Sequence, residues 1–229
     1  MFASLEDHNH ILLAERVDAD QKAIDDLTRQ AKEQPPILAK ITRAKIKELK
    51  AEKRAADQFG VVYKKSTKRL LDSLQTAIDQ TSPQALLSLP KDQFIELILS
   101  GGLADSIEDF IDQQNKLLEA INQSISVVEP TWTPLFIENE VESIRVLTVQ
   151  NIFDDVVLPT VAKNINDTLL SMVVDTPIDQ GLSNLALSLE KSTGTLQTEV
   201  RTNILQFGRY VKMITADTVG YDHYLYTGP

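Results

Sequence analysis

The stretch from Ile37 to about Gln80 constrains the fold more than any other part of the chain. Leu49, Ala56, Tyr63, Leu70 and Ala77 recur at every seventh position, with Leu74 and Ile78 beside that line late in the stretch. Apolar residues seven apart form one narrow stripe on a helix, as in a coiled coil. Read as a single helix at about 1.5 Å per residue, the stretch spans roughly 65 Å. Gly60 falls mid-helix, where it costs about 1 kcal/mol relative to alanine, so it marks a kink or a close approach by another helix. The stripe thins over Lys40 to Arg54, which leaves that end to solvent or to a partner.

The same stretch carries the charge asymmetry. The chain has a formal net charge of −10, yet Lys40 to Arg69 holds 11 Lys/Arg against 3 Asp/Glu, a local +8 that leaves −18 for the remainder. Separation of this kind marks surfaces that meet different partners, or surfaces that meet between copies of one protein. Lys40, Arg43, Lys47, Lys50 and Arg54 step by three and four, which places them on one helical face, and Lys64, Lys65, Lys68 and Arg69 extend it. Two readings stay open: a face that is solvated or meets acidic protein, or one that contacts DNA phosphates without regard to sequence and with a steep salt dependence. Apart from Phe59 and Tyr63 the window has no interleaved aromatics for stacking on bases, which argues against single-strand recognition.

Composition narrows the class. With 229 residues there is enough chain for one large core or two small ones, and 8 Gly with 9 Pro are too few for the many turns of a sandwich or barrel. No run approaches the roughly 18 apolar residues of a membrane span. The start, Met1-Phe-Ala-Ser-Leu-Glu-Asp, does not read as a secretory signal. Cysteine is absent, which excludes disulfides, thiolate metal sites and a cysteine nucleophile and fits a reducing compartment.

Along the chain, Ser4 is placed to cap a first helix carrying Leu13, Val17, Ile24, Leu27 and Ala31, closed by Pro35-Pro36. After the long helix, Thr81-Ser82-Pro83 and Leu89-Pro90 are breaks, and Phe94 to Leu99 is a short helix stopped by Gly101-Gly102. Ile107 to Ile125 marks another helix of about six turns. Residues 1–127 thus read as an N-terminal helical bundle. Residues 128–134, with Pro130, Trp132 and Pro134, read as a linker whose tryptophan packs against a flanking domain or contacts another chain. Residues 135–229 read as a C-terminal helical domain. Glu138 to Val157 is expected as helix, with a strand as the alternative because β-branched residues are frequent there. Pro159 opens the next helix, and Thr176-Pro177 caps and starts a further one that Gly194 ends. The last helix starts at Thr195 and carries Leu196, Val200, Ile204, Phe207, Val211 and Ile214 on one face. Gly220 suits its C-terminal stop. Tyr221 to Tyr226 has strand-like aromatic spacing, and Thr227-Gly228-Pro229 reads as a turn. A strand followed by a turn calls for a pairing strand from a partner or from further chain. The fold class is therefore mainly α: an elongated helical bundle with one long helix and a short C-terminal β-strand.

Thr198-Glu199, Thr202, Phe207 and Arg209, followed by Gly220-Tyr-Asp-His-Tyr-Leu-Tyr-Thr-Gly-Pro229, resemble the late region of the minor head (head morphogenesis) proteins of tailed bacteriophages, the Mu F-like group. That family's long helix leads to a Tyr-x-Tyr-x-Gly-Pro strand and turn, and its pattern continues with Asp, Thr-Arg and Cys, positions that have no counterpart in this sequence. The resemblance spans about residues 196–229. It implies a minor virion protein present in few copies, associated with the portal or major capsid protein, acting in head assembly or DNA delivery, and located in the virion and in the host cytoplasm during assembly. Under that implication Val200, Ile204, Phe207, Val211, Ile214, Tyr224 and Tyr226 are the partner-binding candidates. The nine basic residues of the long helix are the candidates for contact with packaged DNA.

No set of residues converges on chemistry. His8, His10 and His223 are the only histidines, and two residues apart on a helix His8 and His10 point in different directions. Asp25-Asp26 and Asp154-Asp155 are adjacent pairs, unlike carboxylates that converge across a cleft. No phosphate-binding glycine loop, nucleophile elbow or zinc-protease motif occurs. The expectation is a non-enzymatic protein with no cofactor, no metal and no membrane contact. The alternatives are a nucleic-acid-binding helical protein using residues 40–69, or a cellular coiled-coil adaptor.

Overall fold

The computed structural model describes the backbone of residues 5–220, and side chains from residue 19 onward except that of Ala56. The described chain is mainly helical: α1 (Leu5–Glu33), α2 (Pro36–Gln80), α3 (Pro83–Leu87), α4 (Lys91–Ile98), α5 (Ala104–Val128), α6 (Glu138–Val149), α7 (Leu158–Val174) and α8 (Ile178–Val219). No strand occurs among the described residues; the short strand expected over Tyr221 to Tyr226 lies in residues 221–229, outside them. Ser4, the expected cap of α1, also lies outside.

Helix α2 is the axis of the molecule. Proline occupies its first turn, and the 45 residues that follow Pro35 are helical without interruption. α1 returns along it in the opposite direction, tied at one end by Thr42 to Gln34 (2.6 Å) and further along by Lys53 to Gln21 (2.9 Å). α5 also runs antiparallel to α2, with Ser106 bonded to Ser66 (3.0 Å) near one end and Lys47 to Gln123 (3.3 Å) near the other. α8 is the third antiparallel neighbour, from Tyr63–Ser192 (3.5 Å) to Lys212–Glu48 (2.6 Å). Gly60 does not kink α2. It lets α8 come close, because a Cβ there would run into the side-chain amide of Gln197.

The turn into α5 depends on two glycines. Residues 99–103 form a widened π-type turn in which Gly102 adopts φ 134°, a value side chains rarely tolerate. A Cβ on Gly102 would also stand 2.9 Å from the Ser66 carbonyl oxygen of α2. The pair therefore stops α4 as expected, and it also lets the reversing chain lie directly on α2.

Between Glu138 and Val174 the chain is helical throughout, so the strand alternative does not hold. Residues 150–157 widen into π geometry, and the Leu158 N–H bonds to the Phe153 carbonyl five residues back. Pro159, next in the chain, lacks an N–H and crowds the carbonyl four residues before it. A widened turn accommodates that ring without ending the helix. The break expected at Gly194 is also absent: α8 is one helix of 42 residues, with Gly194 buried inside it. A single glycine costs about 1 kcal/mol, less than burial of the flanking Leu189 and Leu196 contributes. Its start is set by Pro177 rather than by a side-chain cap from Thr176.

The two segments expected to form separate domains share one apolar core. Phe59 stacks on Tyr63 (5.6 Å), Phe153 meets Phe59 edge-on (6.3 Å), and Phe110 meets Phe153 edge-on (5.6 Å). These rings join α2, α5 and the π turn after α6, across the expected linker. The linker itself is a short turn and a 3₁₀ turn over Pro134–Ile137. Trp132 packs against the flanking helix, as expected: it is buried, donates to the Asn122 side chain of α5 (3.1 Å) and meets Phe136 edge-on.

Candidate functional site

Two surfaces singled out by the sequence meet different fates. The α8 ridge is interior. Val200, Ile204, Phe207 and Val211 are each 0% exposed and belong to the common core, and Ile214 is half-buried against it. Gly208, one turn along, brings α8 against Leu117 and Ile121 of α5 and Glu52 of α2. The ridge can pack within the chain or against another protein, and in this fold it does the former, because α2 and α5 already cover it. Side chains on the opposite side of α8, including Tyr210 and Met213, are about half exposed. Tyr224 and Tyr226 lie outside the described residues.

The basic face stays outside. All nine of Lys40, Arg43, Lys47, Lys50, Arg54, Lys64, Lys65, Lys68 and Arg69 are exposed. At about 100° per residue, Lys40, Arg43, Lys47, Lys50, Arg54, Lys65 and Lys68 project within roughly 80° of arc, with Lys64 and Arg69 at its two edges. The packed residues of this part of α2, Phe59, Tyr63 and Leu70, point the other way and are 0% exposed. Among the described residues, Arg69 pairs with Asp105 and Lys47 bonds to Gln123, while the other seven enter no ion pair. The helix's remaining lysines in this window, Lys45 and Lys53, are turned aside to Glu48 and to Gln21. Phe59 and Tyr63, the two aromatics of the window, are in the core and offer no ring to a base.

A third feature was not foreseen from the sequence. Where α8 crosses the first half of α2, the contact is ionic. Lys212 reaches Glu48 at 2.6 Å and Glu52 at 3.8 Å, and Lys45 reaches Glu48 at 3.3 Å. Nearby, the largely buried Arg201 pairs with Asp20 of α1. Burial pushes the Glu52 carboxyl above its ordinary range, and the two lysines only partly offset this. Burial alone would lower the Lys212 ammonium, but Glu48 and Glu52 outweigh it and hold its pKa above the usual lysine value. The group joins three helices, α1, α2 and α8. The one sequence signal was Arg201 itself, a charge placed between Val200 and Ile204 on the apolar side of α8.

Elsewhere the core holds a polar residue with no hydrogen-bond partner among the described residues. Gln114 is 0% exposed and neither amide atom is hydrogen-bonded. Tyr63, buried in the same core, has its hydroxyl pKa pushed up to about 12 by burial, with the Ser192 bond opposing. Among the described residues no three His, Asp or Glu converge as metal ligands would, and no helix is long and apolar enough to cross a membrane. One open surface depression lies beside Gly101-Gly102, where Arg69 and Asp105 already pair. In comparisons with known proteins, no family model, curated protein or solved structure matches the chain.

Proposed function

We propose that this chain is a non-enzymatic structural component of a tailed-bacteriophage particle, a minor head protein associated with the portal or major capsid protein in head assembly or DNA delivery. The observation that carries the reading is the order of features at the C-terminal end: a long helix, a glycine stop, then an aromatic run ending in Gly-Pro. The fold supports the first two parts. α8 runs unbroken to Val219, and Gly220 closes it at φ 75°, the left-handed stop that glycine favours. Helices α1, α2, α5, α6 and α7 all pack on α8, which seats the helix that precedes the aromatic run. An aromatic sequence of this kind, where it pairs as a strand, can add to the edge of a partner's sheet.

The test is incorporation into particles. The intact protein should be found by mass spectrometry in purified heads. A variant carrying Tyr224→Ala and Tyr226→Ala should keep the helix content and melting temperature of the parent and be depleted from heads. Parent-level incorporation of that variant would remove the support for the aromatic run as a docking element. Phe207→Asp and Ile204→Asp are poor tests, because they put a carboxylate into the core and report on folding first.

A further inference from the structure

We infer that the exposed face of α2 is a seat for duplex DNA about one helical turn long, contacted through phosphates alone. This stands whether or not the chain is a virion component. The cations fall in two groups, Lys40 to Arg54 and Lys64 to Arg69, with the exposed Asp57, Gln58 and Val61 between them on the same strip. At about 1.5 Å per residue the centres of the groups are about 30 Å apart, close to the roughly 34 Å of one duplex turn. A duplex lying along α2 brings phosphates one turn apart to the two groups, while the middle, with Asp57, Gln58 and Val61, contributes no cation. The continuity of α2 matters, since it is helical without interruption through Gly60 and both groups stay on one helical face.

Other polyanions and surfaces fit less well. A protein partner requires apolar or aromatic anchors that lose water at the centre of the contact; the strip's centre offers only Val61, and the exposed Ile37, Leu38 and Ile41 lie at the helix start, off the arc of the cations. The same lack disfavours a lipid surface, where a basic helix buries an apolar face beneath its charges. Single strands require rings for stacking, and both candidate rings are inside. What remains is a row of cations, seven of which enter no ion pair among the described residues, on a chain whose remainder carries −18. Among the described residues only Asp105 pairs with a member of this row, which leaves the other cations available to phosphate.

The experiment is fluorescence anisotropy with labelled duplexes of 8, 14 and 24 base pairs of arbitrary sequence, over 50–200 mM salt. The 14-mer should bind more tightly than the 8-mer beyond the gain in the number of sites, and affinity should fall about 10³- to 10⁵-fold across the salt range. Two triple variants, Lys47→Gln/Lys50→Gln/Arg54→Gln and Lys64→Gln/Lys65→Gln/Lys68→Gln, should each weaken 14-mer binding about 10²- to 10³-fold at 100 mM salt and lower the salt slope by about 2.7. All six side chains are exposed, so circular dichroism should be unchanged. Absence of binding at 50 mM salt would overturn the inference, as would variants that bind like the parent. Equal affinity for the 8-mer and 14-mer would overturn the two-group footprint. Displacement of the duplex by polyglutamate at matched charge would overturn it in favour of an acidic protein partner.

Discussion

The two halves of α2 are held by different chemistry. From Ala55 to Ile78 the helix contributes Phe59, Tyr63, Leu70 and Leu74 to the common core, and its packed side is apolar. From Ala39 to Lys53 the buried apolar side chains are small or few, and the contacts are carried by Glu48, Glu52, Lys45 and Lys212 with Asp20 and Arg201 alongside. At its start the helix even leaves Ile37, Leu38 and Ile41 exposed. The contrast shows how one helix can be rigidly seated in one half and tunable in the other. Apolar burial is insensitive to pH and salt, whereas a partly buried ion cluster responds to both.

Four changes would break or sharpen that contrast. The largest effect is expected from Phe59→Ala, which removes a ring contacting two others and should cost about 3–5 kcal/mol, seen as loss of thermal stability across the whole molecule. A merely local effect on amide exchange near α2 would mean that the halves do not share a core. Next, Lys212→Met leaves the buried Glu48 with Lys45 alone. Destabilisation of about 1–3 kcal/mol is expected, with the greatest loss of exchange protection in the first half of α2 and the last turns of α8. Equal loss in both halves of α2 would erase the distinction.

In the apolar half, Gln114→Leu removes an unpartnered buried amide at similar volume. A gain of about 1 kcal/mol is expected in chemical denaturation, and a loss would mean that the amide is satisfied in solution. The smallest effect concerns Glu52. Its folded pKa is raised, so the folded state holds more protons than the unfolded state above the ordinary value of 4.5. Its contribution to stability therefore falls as pH rises from there through the raised value. Glu52→Gln should flatten the decline over that window and leave the slope near pH 10 unchanged. At that end Lys212, whose folded pKa is raised, contributes stability that is full below the unfolded lysine value and lost above it. A parallel shift of the whole profile would show that Glu52 acts through packing instead.

Much of this fold could be read from the chain. Heptad spacing and two prolines placed α2 to within one residue at its start, and the glycine pair marked the end of α4. The failures have physical causes. Gly194 was read as a stop because local propensity was weighed without the burial of Leu189 and Leu196 on either side. Pro130 and Pro134 mark the segment between the two parts, but prolines fix only local backbone, so the contact of Phe153 with Phe59 across that segment was not legible. The basic face was legible because charge resists burial: cations three and four apart on a helix have little choice but solvent. The α8 ridge was not legible in the same way. Periodicity reveals that Val200, Ile204, Phe207 and Val211 share a side, but not whether that side is covered by the same chain or another. The ion cluster escaped because nothing in the spacing links Glu48 to Lys212.

Trp132 sits where the first and second parts of the chain are joined, indole nitrogen on Asn122 and ring edge against Phe136. It is the only tryptophan in the chain, so the protein carries a single native fluorophore at its own seam. Its emission should be blue-shifted while the turn is clamped to α5 and should move to the red when that clamp opens. Unfolding, particle docking or duplex loading that loosens the joint could then be followed optically, with no label added.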